Sequence, residues 1–148
     1  MFQERETESM KTLTDRFSVP TKGFTDIQDL TPRVQRLVER SGIDAGTIVV
    51  FVPGSTASVT TIEFEPGALE DLRHAIERIA PQSIHYDHNA RWGDGNGFAH
   101  VRSALLGPSV SVPVVGGRLA LGTWQQVVLV DFDNRSRNRE VIIQCSGE

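Results

Sequence analysis

Beyond Pro108 the chain keeps the two-residue period of β-strands almost to its end. Val110, Val112 and Val114 alternate with serine and proline, Gly116-Gly117 is a hairpin signal, and apolar runs follow at 118–121, 127–132 and 141–145. Strands this closely spaced pair antiparallel, and each apolar face needs a covering layer. The first 20 residues carry a weaker alternation, with Met10, Leu13, Phe17 and Val19 among polar neighbours. That stretch reads as an early strand or hairpin, turned by Gly23.

The middle of the chain supplies helices. Thr31-Pro32 is an N-cap and first-turn signature, Val34, Leu37 and Val38 recur at helical spacing, and Gly42 suits the C-terminal cap. Two β-branched runs, 47–52 and 57–64, flank a break at Pro53-Gly54. Glu65-Pro66-Gly67 then opens a second helix, with Leu69, Leu72, Ile76 and Ile79 as its expected buried stripe and Pro81 as its stop. A third helix is predicted over 98–106, closed by Gly107-Pro108. There His100 and Ser103 share the polar face. Arg102 falls inside the arc of Phe98, Val101 and Leu105, so it is expected to be buried against a charge or a subunit interface. These elements predict an α+β fold, a two-layer sandwich of a mostly antiparallel sheet with two to three short helices, in a single domain over 1–148.

Composition excludes several classes. The formal charge of −4 gives no footprint for nucleic acid, although Arg135, Arg137 and Arg139 form a local basic cluster. Cys145 is the only cysteine, which leaves no intramolecular disulfide and no Cys-based zinc site, and it has no activating signature for thiol catalysis. No run approaches the roughly 20 apolar residues that span a bilayer, and residues 1–10 are too charged for a secretory signal. A cytoplasmic protein without membrane or nucleic-acid partners is expected.

The chemistry gathers in residues 85–102, HYDHNARWGDGNGFAHVR, which hold three of the four histidines, two aspartates, two asparagines and two arginines. Such crowding is poor core material, because each buried member needs a partner. His85 and His88 are three apart and His100 lies twelve further on, near Asp87 and Asp94, so imidazoles and carboxylates can converge on a divalent metal. His88 and His100 are the better ligand candidates; His85 belongs to the surface, as does His74 on the second helix. Asp94-Gly95-Asn96-Gly97 can offer backbone N–H groups and a helix N-terminus to an anion, or form a tight turn capped by Asp and Asn.

Elsewhere, Glu63 stands between Ile62 and Phe64 and is a candidate general base or metal ligand if it faces a cleft. Trp124 and Gln125, in the break between Leu121 and Val127, suit stacking and hydrogen bonding to a heterocycle. Arg135, Arg137 and Arg139 at two-residue spacing place guanidiniums on one side of a strand, for a phosphate or for solvent. No Gly-x-Ser-x-Gly elbow supports serine hydrolysis.

The segments HYDHN, DGNGFAHVRSALLGPSVSVPVVGGRLALGTWQQ and VDFDNRSRNREV, with GSTASVTTIEFEPGALEDL upstream, resemble the YjbQ-like family, also called the secondary thiamine-phosphate synthase family. The resemblance covers residues 47–148 strongly and the first third by its order of elements. It implies a compact α+β fold assembled as a homotrimer, and an accessory coupling of hydroxymethylpyrimidine diphosphate to a thiazole phosphate with release of pyrophosphate. Its motif positions in this chain are Glu63, His88, Asp94, Asn96, His100, Arg102, Trp124, Gln125, Arg137 and Arg139. Where many members have a histidine before two hydroxyl residues, this chain has Gly54 before Ser55-Thr56. A metal site using that histidine would lose a ligand here.

On that basis His100, His88, Glu63 and Asp94 are the expected catalytic residues. Asn96, Arg102, Trp124, Gln125, Arg137 and Arg139 are the expected contacts to a small phosphorylated metabolite. A divalent ion such as Mg²⁺ or Zn²⁺, held by His88 and His100, would neutralise a leaving diphosphate. Two other readings stay open: a non-enzymatic trimeric module that binds a phosphorylated metabolite, and a metal-dependent hydrolase.

Overall fold

Among the described residues, 9–148 of the computed structural model, eight strands and four helices follow in the order β1 (Lys11–Thr21), β2 (Asp26–Asp29), α1 (Thr31–Ser41), β3 (Ala45–Phe51), β4 (Ala57–Ile62), α2 (Pro66–Ile79), α3 (Asp87–Trp92), α4 (Gly97–Leu106), β5 (Ser109–Val115), β6 (Arg118–Leu119), β7 (Gln126–Asp131) and β8 (Arg137–Gly147). The part of the early strand or hairpin expected before residue 9, and the reading of the charged N-terminus, lie outside the described residues. No helix among them is long and apolar enough to cross a membrane.

The antiparallel α+β class is the one the sequence predicts. The strands divide between two sheets, ordered β1-β8-β3-β5-β6 and β2-β7-β4. β8 organises the larger one: it pairs with β1 over all eleven residues, from Lys11↔Gly147 to Thr21↔Arg137, and with β3 on its other side. Its alternation is strict, with Arg139, Val141, Ile143, Cys145 and Gly147 turned inward. Cys145 is thus core, and burial pushes its thiol above the usual range.

β7 is buried on both faces, which explains its unbroken apolar run. Val127 and Leu129 join one core cluster with Ile48, Val50, Val112 and Ile143 of the larger sheet and Val34, Leu37 and Val38 of α1. Val128, Val130 and Phe132 join a second with Leu69 and Ile76 of α2 and Phe98 and Ala99 of α4. The smaller sheet therefore lies between the larger sheet and the helices α2 and α4, while α1 packs with the larger sheet. Ser58 and Ser103 stitch α4 to β4, each hydroxyl donating to a backbone carbonyl of the other element.

Several local expectations change. Thr31 is the first helical residue rather than the cap: its N–H donates to Asp29 Oδ1 (2.9 Å), while its hydroxyl accepts from Val127 N–H in β7 (2.8 Å). Glu65 caps α2 as expected, accepting from Gly67 and Ala68 N–H. Ile79, the last residue of α2, is exposed rather than part of the buried stripe, which Leu69 and Ile76 carry. On α4 the buried side is Phe98, Ala99, Arg102 and Ser103, and Val101 and Leu105 face outward.

Candidate functional site

Two short helices bring the polar stretch to one end of the smaller sheet. α3, which the sequence did not announce, caps α4: Asn89 Oδ1 accepts Gly97 N–H at 2.8 Å. α4 can begin there only because residue 97 is glycine, since a Cβ would lie 2.5 Å from Tyr86 Cβ. The result places His88 of α3 against His100 of α4, ring centroids 4.3 Å apart and planes tilted by 42°. His88 Nδ1 lies 3.3 Å from Asp94 Oδ1 but out of line for a hydrogen bond, and this buried atom has no other partner. Burial pushes His100 below the usual imidazole range, and His88 adds to the effect; Asp94 and Asp133 oppose it. His100 is therefore a neutral imidazole at neutral pH.

Near the pair, two fully buried carboxylates stand at the end of β7, Asp131, and two residues past it, Asp133. Asp131 receives Arg139 through Nε and Nη2 (2.6 and 2.9 Å) and the Thr21 hydroxyl (2.5 Å). Asp133 Oδ2 accepts from Thr56 Oγ1 (2.9 Å), Asn96 Nδ2 (3.2 Å) and Arg137 Nε (3.1 Å), whereas Oδ1 is buried with no partner. Burial raises the Asp133 carboxyl, but these hydrogen bonds more than offset it and hold it below the usual carboxylate range. Beside His100 opens a cleft of about 260 Å³ lined by Gly54, Ser55, Ser103, Ala104 and Pro108.

The expected site residues separate into groups. His88, Asp94, Asn96, His100, Arg137 and Arg139 gather at this end. Arg137 and Arg139 share a strand face as their spacing predicts, but both turn to aspartates; Arg139 is nearly buried, and Arg137 is the more open of the two. Asn96 is locked between Asp133 and the Asn134 N–H, and Asp94 accepts the Asn96 N–H, so the glycine-rich loop is the capped turn rather than an open anion cradle.

Arg102 is buried against a charge, as expected, but away from the histidines. Its Nε donates to Ala80 O (2.9 Å), its Nη1 to Thr25 Oγ1 (3.2 Å), and its Nη2 pairs with Glu77. Glu63, Trp124 and Gln125 lie at the far end of β4 and β7, which pair from Ala57↔Asp131 to Ile62↔Gln126. The two ends of that pairing are five strand rises apart, about 17 Å. There Glu63, Phe64 and an exposed Trp124 line a cleft of about 310 Å³, and Gln125 bonds Thr61 and the Gly122 N–H. His85 pairs with Asp87 at the surface.

The family model described as UPF0047 protein YjbQ-like matches residues 15–148. This chain belongs to that family. A UPF0047 protein of Archaeoglobus fulgidus is 40% identical over 128 residues, spanning 86% of this chain and 97% of its own length. One from Mycobacterium tuberculosis is 38% identical over 125 residues, covering 79% and 93%. Among solved structures, a YbjQ-like protein of unknown function from Sulfolobus solfataricus superposes with a TM-score of 0.90 at 34% identity, covering 95% of this chain and all of its own. A hypothetical protein of Aeropyrum pernix gives 0.85 at 36% identity, covering 92% and 99%.

In this UPF0047 chain the Gly54 position lies close to Arg139. Gly54 has φ +112°, and a Cβ there would lie 3.3 Å from Arg139 Nη1. Among the described residues no group of three His, Cys, Asp or Glu side chains is arranged to hold a metal ion. The donors of one chain thus fall short of the four-coordinate sets usual for zinc. Sequence reasoning missed Asp131, Asp133 and the role of Thr56. The available signal was the pair of aspartates two apart at the end of an apolar strand, followed by arginines two apart.

Proposed function

We propose that this UPF0047 protein is an enzyme acting on a small phosphorylated metabolite, with His88 and His100 as its proton-handling pair and Arg137 as its phosphate contact. One observation carries the reading. Two polar atoms, His88 Nδ1 and Asp133 Oδ1, are buried without hydrogen bonds, and both belong to groups whose charge acts on His100. Native proteins leave few such atoms, and a substrate or ordered water supplies the missing partner. A neutral His100 can accept a proton at neutral pH. Arg137 donates Nε to Asp133, with Nη2 in ion-pair contact with the same carboxylate, and its remaining N–H groups are offered to a ligand oxygen.

Within that class, the coupling of hydroxymethylpyrimidine diphosphate to a thiazole phosphate is the reaction to assay first, because the family resemblance points to it. His100 would accept a proton from the pyrimidine's exocyclic amine as the C–O bond to diphosphate breaks and the electron pair leaves with pyrophosphate; the thiazole nitrogen would then bond to the methylene carbon as the proton returns to the amine. Arg137 would stabilise the departing charge. Arg139, held by Asp131 and Thr56, and Arg102, held by Ala80 O, Thr25 and Glu77, are positioning and structural residues in this account. No step is routed through a metal ion.

The homotrimer belongs to the same proposal. Val101 and Leu105 stand one helical turn apart on the outer side of α4, 41% and 58% exposed, next to the His100 cleft. An apolar strip of this kind is expected to be covered in an assembly. Calorimetric titration with pyrophosphate tests the ligand class: saturable binding lost in Arg137→Ala supports it, and equal binding by that variant rejects it.

A further inference from the structure

Gly23, Phe24 and Thr25 stand in succession at φ +75°, +53° and +66°. Glycine adopts this region freely; a bulky or β-branched residue is strained there. Thr25 has its reason in the fold, since its N–H donates to Asp131 O and its own oxygens accept from Arg102 Nη1 and Arg73 Nε. Phe24 is different. Its N–H donates to Asp133 O, yet its ring is 53% exposed and belongs to neither core cluster. Folding alone does not reward a strained backbone that holds a large apolar side chain in water, and strain of this kind concentrates at ligand sites.

A pocket of about 210 Å³ lies between this turn and α2, lined by Phe24, Thr25, Arg73, His74, Glu77 and Arg102 among others. The Arg102 side chain is only 5% exposed. Three of its donors go to Ala80 O, Thr25 Oγ1 and Glu77, and Arg73 bonds Thr25 O and Glu70. A guanidinium has five N–H donors, so both side chains retain some. Two guanidiniums and one carboxylate, Glu77, line the pocket, and Glu70 pairs with Arg73 beside it.

We propose that this pocket binds a small oxyanion, a phosphate ester or a carboxylate, whose flat apolar body stacks against Phe24. Guanidiniums favour such anions through charge-assisted hydrogen bonds, and the exposed ring supplies the apolar surface. The site is distinct from the histidine pair, because His100 and Arg102 are two residues apart on α4 and point about 160° apart around its axis.

Calorimetric titration of the intact protein with phenyl phosphate, and separately with benzoate, tests this. At least one probe should bind saturably. Binding should weaken about tenfold or more in Arg73→Ala, which loses a charge-assisted contact. Phe24→Gly should also weaken it while the melting temperature holds or rises, since glycine relieves the strain. His100→Ala should leave it unchanged. Binding of phenyl phosphate alone assigns a phosphate ester, of benzoate alone a carboxylate, and of both an oxyanion site indifferent to the group. No saturable binding of either probe overturns the proposal, as does binding that disappears in His100→Ala and survives in Arg73→Ala and Phe24→Gly.

Discussion

Arg139 grips Asp131 through two contacts, Nε to Oδ2 at 2.6 Å and Nη2 to Oδ1 at 2.9 Å, with Asp131 fully buried and Arg139 nearly so. Removing one partner of such a pair leaves an uncompensated buried charge. Arg139→Ala is expected to destabilise the fold by about 3–5 kcal/mol. Arg139→Lys should recover only part, because an ammonium cannot reproduce the forked geometry. Urea unfolding reads both as lower midpoints; an unchanged midpoint in Arg139→Ala would show that the pair does not support the fold.

Gly97→Ala tests the contact that seats α4 on Tyr86. The added methyl group would meet Tyr86 Cβ at 2.5 Å, and overpacking of this order costs about 1–3 kcal/mol. Gly93→Ala is the control: it meets nothing within 4 Å but carries φ +66°, a strain of roughly 1–2 kcal/mol. Thermal unfolding should show both losses. Only Gly97→Ala should also disturb the His88–His100 pair, seen as shifted imidazole resonances.

Two groups at the site contribute to the acid side of the stability profile. His100 is held below the ordinary imidazole value of 6.5, so the unfolded chain binds its proton first as pH falls. Its contribution is intact above pH 6.5 and declines below it, down through the folded-state value. Asp133 lies below 3.8 in the fold, so the stability it gives is intact above 3.8 and is lost under more acidic conditions. NMR titration should place His100 below 6.5, and His88→Ala should move it upward by removing a neighbouring positive charge. A His100 value at or above 6.5 in the wild-type protein would contradict the buried, neutral imidazole.

Assembly is read by light scattering. The wild-type protein is expected at three times its chain mass of 16.3 kDa, and Leu105→Glu, which puts a charge into the apolar strip on α4, should release smaller species. A monomeric wild-type protein would reject the homotrimer.

Local signals carried most of the fold. Thr31-Pro32 and Gly42 framed α1, Pro66 and Pro81 framed α2, and the valine alternation at 110–114 placed β5, because helix ends and strand period are written in neighbouring residues. Sidedness was harder. Val101 and Leu105 looked like the inward arc of α4, but Arg102 takes that side, a choice made by Glu77 and Thr25, which lie 25 and 77 residues away in sequence. The site divides in the same way. His88, Asp94 and His100 were legible because they crowd one polar stretch. Asp131 and Asp133 were not, since an aspartate at the end of a strand reads as a turn residue until Arg139, Thr56 and Asn96 converge on it. The gap between Glu63 or Trp124 and the histidines depends on the β4–β7 register, which no local pattern encodes.

The most direct measurement is pyrophosphate release from hydroxymethylpyrimidine diphosphate in the presence of thiazole phosphate, for the wild-type protein and His100→Ala. General acid–base groups contribute about 10²–10⁴ in rate. The account predicts turnover by the wild-type protein and a fall of at least about 100-fold in His100→Ala, with its melting temperature preserved. Absence of release from the wild-type protein, or an undiminished rate in the variant, would contradict the assignment of His100 as the proton acceptor of this reaction.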